Sequence, residues 1–186
     1  MRDLGLRLDA ILSTRSSTGK LFLSLAHLEK QGHAKLLKFK RVQGITDAEF
    51  LEHLTDEARH AHQLKKDAEG LGADATVDHF TRSYLTRLEV FILRKLRAQG
   101  PRPQPRAPYV LMTYVIEKRA EALYPALEAR LRKLRKPLSV EQIIQDEAQH
   151  LRSMEAELGD LRIDPALIQE CRAFEARLFE KFILRI

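Results

Sequence analysis

Along most of the chain the apolar residues recur at the three-and-four spacing of an α-helix that buries one face. Between residues 76 and 99, Phe80, Tyr84, Leu88, Phe91 and Leu96 fall near one face, and Phe174, Leu178, Phe182 and Ile183 form a similar stripe near the end of the sequence. Residues 1–15 carry a shorter apolar pattern, expected as a helical arm packed on the rest. Caps and turn residues divide what remains. Ser16-Ser17-Thr18-Gly19 supplies an N-cap for a long helix near 18–41, and Thr46-Asp47-Ala48-Glu49 reads as a capping box opening a second, which runs to Gly70-Leu71-Gly72. The short connection around Gly44 makes these two an antiparallel pair. The helix at 76–99 runs into Gly100–Pro108, too rich in proline to stay helical, so residues 76–108 read as a long crossover. A third long helix follows at about 109–135. Lys136-Pro137 turns the chain, Ser139-Val140-Glu141-Gln142 caps a fourth, and Gly159 closes it. Asp164-Pro165 opens a C-terminal helix over 165–184, within a last segment 164–186. The expectation is all-α: a four-helix bundle with a long helical crossover and an extra C-terminal helix, forming one domain over residues 1–186.

Composition adds bounds. A chain of 186 residues, 44% apolar and 31% charged, is large enough for a sizeable core and has the balance of a soluble globular protein. The single cysteine, Cys171, excludes an internal disulfide and a cysteine-only zinc site, which points to a reducing, cytoplasmic setting. The N-terminus carries Arg2, Asp3, Arg7 and Asp9 among single leucines and so lacks a signal-peptide core, and no window nears the roughly 20 apolar residues of a membrane span. A net charge of +6 suits either a solvated basic surface or affinity for a polyanion such as RNA or for an acidic redox partner.

The chemistry lies in two near-identical hexapeptides, Thr55-Asp56-Glu57-Ala58-Arg59-His60 and Gln145-Asp146-Glu147-Ala148-Gln149-His150. Each sets a glutamate three residues before a histidine, on one helical face and within reach of one atom. Carboxylate and neutral imidazole together suit iron, zinc or manganese. The repeat extends upstream to Leu28-Glu29-Lys30 and Ile116-Glu117-Lys118, with offsets of 88 residues for the lone glutamates and 90 for the hexapeptides.

Two lone helical glutamates and two Glu-x-x-His pairs on four helices resemble the ligand set of the ferritin-like di-iron or di-manganese carboxylate bundles, over residues 17–158. The resemblance implies Glu29, Glu57, His60, Glu117, Glu147 and His150 as ligands of two iron ions, with manganese as the alternative metal. Glu121 corresponds to His33 in the repeat, and either could be an extra ligand or support one. Asp56 and Asp146 are candidates to hydrogen-bond the ligand histidine of the opposing helix. His27, His53, His62 and His79 have no repeated partner and are not expected as ligands. Tyr84, Tyr114 and Tyr124 read as core residues that could approach the metals.

Three activities follow from the resemblance. Ala26-His27-Leu28-Glu29-Lys30 and Leu111 to Leu127, with Val115-Ile116-Glu117-Lys118-Arg119, look like the matching helices of bacterial tRNA hydroxylases, which implies a monooxygenase acting on a modified, isoprenoid-bearing adenosine. Rubrerythrin-like peroxide reduction is the second. Without a Cys-x-x-Cys pair the electrons must come from an external donor. Ferritin-like iron oxidation is the third, although the crossover helix departs from the ferritin pattern. A metal-free helical interaction protein stands as the fourth reading, against the cost of burying unpaired glutamates. In the expected topology Lys38, Lys40 and Arg41 approach Arg94, Arg97, Arg102 and Arg106 at one end of the bundle, a cluster able to meet the phosphates of RNA. Attraction of basic residues to helix C-termini explains the same pattern. The apolar face of the last helix would either cover the bundle or form a homodimer.

Overall fold

The computed structural model describes residues 4–44, 47–74, 76–99 and 104–186. Among them lie seven helices and no strand: α1 (Leu4–Leu12), α2 (Arg15–Gln43), α3 (Ala48–Gly70), α4 (His79–Gln99), α5 (Ala107–Lys133), α6 (Glu141–Asp160) and α7 (Pro165–Ile183). The class and the element order are those the periodicity predicts. Several ends differ, each for a local reason. Helix α2 starts three residues early because Thr14, not the Ser16–Gly19 run, is its N-cap, accepting from the Ser17 amide at 3.1 Å. Asp47 caps α3 by accepting from Phe50 at 2.9 Å, while Thr46 of the expected box lies outside the described residues. Asp78 caps α4 through the amides of Phe80 and Thr81, which sets its start at His79 rather than 76.

At the start of α6 the Ser139 hydroxyl accepts from the Glu141 amide at 3.2 Å, although the residue at the N-cap position is Val140. That end of the helix is also satisfied across the turn by buried Glu128 of α5, which accepts from the Val140 amide at 2.8 Å and from the Ser139 hydroxyl at 3.1 Å. Gly159 does not close α6, which continues to Asp160; Arg162 takes the left-handed turn at φ 50°.

Helices α2 and α3 form one tightly packed hairpin and α5 and α6 the other. Arg15 donates to the carbonyls of Gly70 and Leu71, tying the start of α2 to the end of α3. Arg106 pairs with Glu157 at 2.9 Å and ties the start of α5 to the end of α6. Tyr109 packs on Phe39 and Phe50, so α5 begins beside the end of α2 and the start of α3 and runs parallel to α3. The other helices wrap this bundle. Helix α1 touches α2 and α5, α4 returns along α2 and α5, and α7 covers α4 and α5. The last helix thus buries its stripe within its own chain, with Phe174 stacked on Phe91 at 4.0 Å and Phe182 fully buried. Helix α5 is the central rod. Residues Tyr109–Val115 are buried without a break, as a helix packed on all sides requires. No described helix is long and apolar enough to cross a membrane.

Candidate metal centre

Both hexapeptides lie on the inward faces of α3 and α6. Glu57, His60, Glu147 and His150 are buried to within 6% exposure, far below the ordinary exposure of charged residues, so their burial needs partners. Glu117 joins them from the middle of α5 at 1% exposure, and Glu29 from α2, half-buried. The lone glutamates and the paired residues therefore meet in one place, drawn from all four bundle helices. Within it two triads converge, each with one ligating atom per residue and all three atoms within 4.8 Å: Glu29, His60 and Glu147, and His53, Glu117 and His150.

The two repeat histidines are held alike. His60 turns Nε2 to Asp146 of α6 at 2.9 Å, and His150 turns Nε2 to Asp56 of α3 at 3.2 Å, so each hexapeptide's aspartate serves the other's histidine. Their Nδ1 atoms consequently face the centre, that of His60 3.2 Å from Glu147 Oε1 and that of His150 3.4 Å from Glu147 Oε2. Arg59 braces the crossing by pairing with both aspartates. Tyr124, buried at 2% exposure, donates its phenol to Glu29. Gly32 gives the Glu57 carboxylate its place: a Cβ there would stand 3.1 Å from Glu57 Cδ and closer still to an oxygen.

Four carboxyls this close cannot all ionise without a cation. Burial first, and the neighbouring carboxylates second, lift Glu29 and Glu117 well above the ordinary range and push Glu57 up to about 8. Burial also opposes charge on Glu147, but hydrogen bonding from Glu117, His150 and His60 outweighs it and holds that carboxyl well below the usual range. Against burial, Glu147 and Glu29 raise His60 to about 9, and Glu147 and Glu57 raise His150. Burial and then His150 push His53 down to about 3.

The residues fit a pair of divalent ions. Among the described residues Oε2 of Glu117 is buried without a hydrogen-bond partner, and Nδ1 of His60 is buried with no contact closer than Glu147 Oε1 at 3.2 Å. The donor set is carboxylate and imidazole throughout, and the absence of a Cβ at Gly32 leaves room for the Glu57 carboxylate.

Other predicted residues lie elsewhere. Glu121 is exposed and pairs with Lys118 at 3.0 Å, so α5 turns Glu117 and not Glu121 inward. His33 spends Nδ1 on the Leu54 carbonyl at 2.9 Å. In the basic cluster, Arg106 is engaged by Glu157 and Lys38 lies 3.6 Å from Glu89, which Lys35 holds at 2.6 Å. Arg41, Arg94 and Arg97 are exposed and Lys40 half-buried, while Arg102 lies outside the described residues.

His53 corrects the expectation that histidines without a repeated partner stand apart. It is 4% exposed, stacks on His150 at 3.9 Å, and lies in the second triad. Its place one turn before Glu57 is the signal that finds it, since residues four apart share a face. Gly32 carries no comparable signal in the sequence, whereas Tyr124 is one of the three tyrosines expected to be able to approach the metals.

A cavity, partly open to solvent, adjoins the cluster on the α2 and α5 side. Glu29, His53, Glu57 and Glu117 form its polar wall, and Leu25, Leu28, Leu36, Met112, Ile116 and Phe179 are among the apolar residues of the rest. At its edge Tyr84 donates to buried Glu175 at 2.5 Å, and Arg119 pairs with the same carboxylate at 2.7 Å, linking α4, α5 and α7. On the α3 and α6 side a depression lined by Asp47, Glu49, Glu52, Asp56, Asp146 and Glu157 leads to His53 and His150. The chain matches no protein-family model, no curated protein and no solved structure.

Proposed function

We propose that this chain is a non-haem di-iron oxidoreductase that activates dioxygen or peroxide at the cluster of Glu29, Glu57, His60, Glu117, Glu147 and His150 and applies it to an organic substrate in the adjoining cavity. The observation that carries the reading is the meeting of two buried carboxylate–imidazole triads with one wall of a mostly apolar cavity. Two irons held there would supply the redox couple for reducing dioxygen or peroxide, the electrons coming from an external donor. The protein's own residues do the rest. Asp146 and Asp56 fix the tautomer and direction of His60 and His150, leaving Nδ1 free for metal. Tyr124 holds a phenolic proton on Glu29. The leucines and Phe179 keep bulk water from the reacting face and favour a slender apolar guest.

A hydroxylase resembling the tRNA-modifying enzymes is the finer form of this reading. Its RNA contacts would fall to Lys38, Lys40, Arg41, Arg94 and Arg97, and binding should then weaken steeply with salt. Ferroxidase activity is the second reading, favoured by the acidic depression that leads to His53 and His150 and could conduct ferrous ions. Anaerobic ferrous loading, metal analysis and exposure to oxygen test the proposal. About two irons per chain and oxygen uptake coupled to oxidation of an added reductant support it. Uptake that releases ferric ion stoichiometrically favours the second reading. No metal uptake removes both and leaves a helical interaction protein.

A further inference from the structure

We propose that His53 is a seventh ligand, so that the centre is built from four glutamates and three histidines and its two ions are unlike. The inference rests on the di-metal reading above. His53 lies on α3 one turn before Glu57, and its Nε2 is 3.3 Å from Glu57 Oε1 and 3.4 Å from Glu117 Oε1. Those carboxylates come from different helices. One N–H cannot point well along both lines, whereas a nitrogen lone pair and two carboxylate oxygens can share a cation placed between them. Metal–nitrogen and metal–oxygen bonds of about 2.0–2.2 Å set neighbouring donors of one ion roughly 3.0–3.4 Å apart, the spacing found here.

His53 also presents a different atom from the other two histidines. His60 and His150 spend Nε2 on aspartates and offer Nδ1, while His53 offers Nε2. Its convergence with Glu117 and His150 is as close as that of Glu29 with His60 and Glu147. The 90-residue offset of the hexapeptides puts Ile143 at the corresponding place on α6, buried at 3% exposure. The first triad gains no such nitrogen. The ion at Glu117 and His150 would take two imidazoles and the ion at Glu29 one, so the sites should fill in two steps.

Cobalt(II) loading tests this without reference to turnover. Each coordinated histidine carries one ring N–H whose proton resonance the cobalt shifts far outside the diamagnetic range, and burial slows its exchange with water. Two bound cobalts with three such signals are expected in the unaltered protein. In His53→Gln one signal should vanish and one of the two binding steps should weaken by about tenfold or more. Two cobalts with only two ring signals would overturn the inference and leave the di-metal reading standing. So would a His53→Gln protein with all signals and both binding steps unchanged. Absence of cobalt binding in the unaltered protein would overturn the di-metal reading itself. The signal count in the unaltered protein decides the matter even where His53→Gln fails to fold.

Discussion

The two hairpins carry the same ligand frame in different surroundings. Glu29 and Glu117, Glu57 and Glu147, and His60 and His150 correspond through the repeat, and Asp56 and Asp146 exchange partners across it. Within two turns the likeness ends. His53 corresponds to Ile143, Gly32 to Ala120, and Tyr124 to Leu36 by the same offsets. What repeats is a frame of four glutamates and two histidines set on aligned helical faces. What differs is the third histidine at the centre and how each half fills the space behind the frame, and all three differences lie on the wall of the cavity or beside it. The comparison teaches that a symmetric ligand pattern can sit in an asymmetric chamber, with one face open to a guest.

The most severe break of that comparison is Glu147→Ala. Glu147 is in one triad and accepts from the histidine of the other, so its loss should abolish stoichiometric two-metal binding while the protein stays helical. Metal analysis with circular dichroism checks this, and two ions retained would remove Glu147 from the ligand set. Next come Asp56→Asn and Asp146→Asn, which should each weaken metal affinity by about 10–100-fold, and by similar factors if the exchange of partners is truly reciprocal. Competition against a chelator measures both.

Gly32→Ala and Ala120→Gly sharpen the contrast on a smaller scale. The alanine at 32 crowds the Glu57 carboxylate and should lower metal affinity several-fold, although alanine is the better helix former. The glycine at 120 should cost only the helical propensity difference of about 1 kcal/mol, read as a lower midpoint in denaturant with metal affinity kept. Equal effects at both positions would mean that Gly32 does not make room for Glu57.

A further effect is expected with pH. In the metal-free protein Glu57 is raised to about 8 and His60 to about 9, so both hold protons more tightly when folded, and the stability they contribute is lost as pH rises through those values. His53, lowered to about 3, contributes its part fully above its ordinary value near 6.5 and does not offset the loss. The melting temperature of metal-free protein should fall by several degrees between pH 7 and pH 9. Metal, which displaces those protons, should flatten or reverse the trend. A rising melting temperature in metal-free protein would contradict the picture of protonated glutamates.

Much of this was legible because helical periodicity and an internal repeat are both one-dimensional signals. The helices of the described residues follow, in the expected order, from apolar spacing, and the meeting of the hexapeptides follows from placing Glu and His three apart on facing helices. The misses share a cause. Glu128 caps α6 from across a turn, and Gly32 matters only through a side chain on another helix. Neither of these distances is written in local spacing. His53 is a different case, since its one-turn step from Glu57 is local, and only the demand for a repeated partner hides it.

The exchange of aspartates has a mechanical consequence. Neither hairpin owns a complete set of donors: the triad of Glu29 and His60 is finished by Glu147, and that of Glu117 and His150 by His53. Metal can therefore be held fully only when the α2/α3 and α5/α6 hairpins have docked, and the free energy of binding is available only to the docked form. Ions bound there would act as a latch between two halves. Their removal should loosen the seam while each hairpin keeps its own helices, so amide exchange should rise first along the inner faces of α3 and α6.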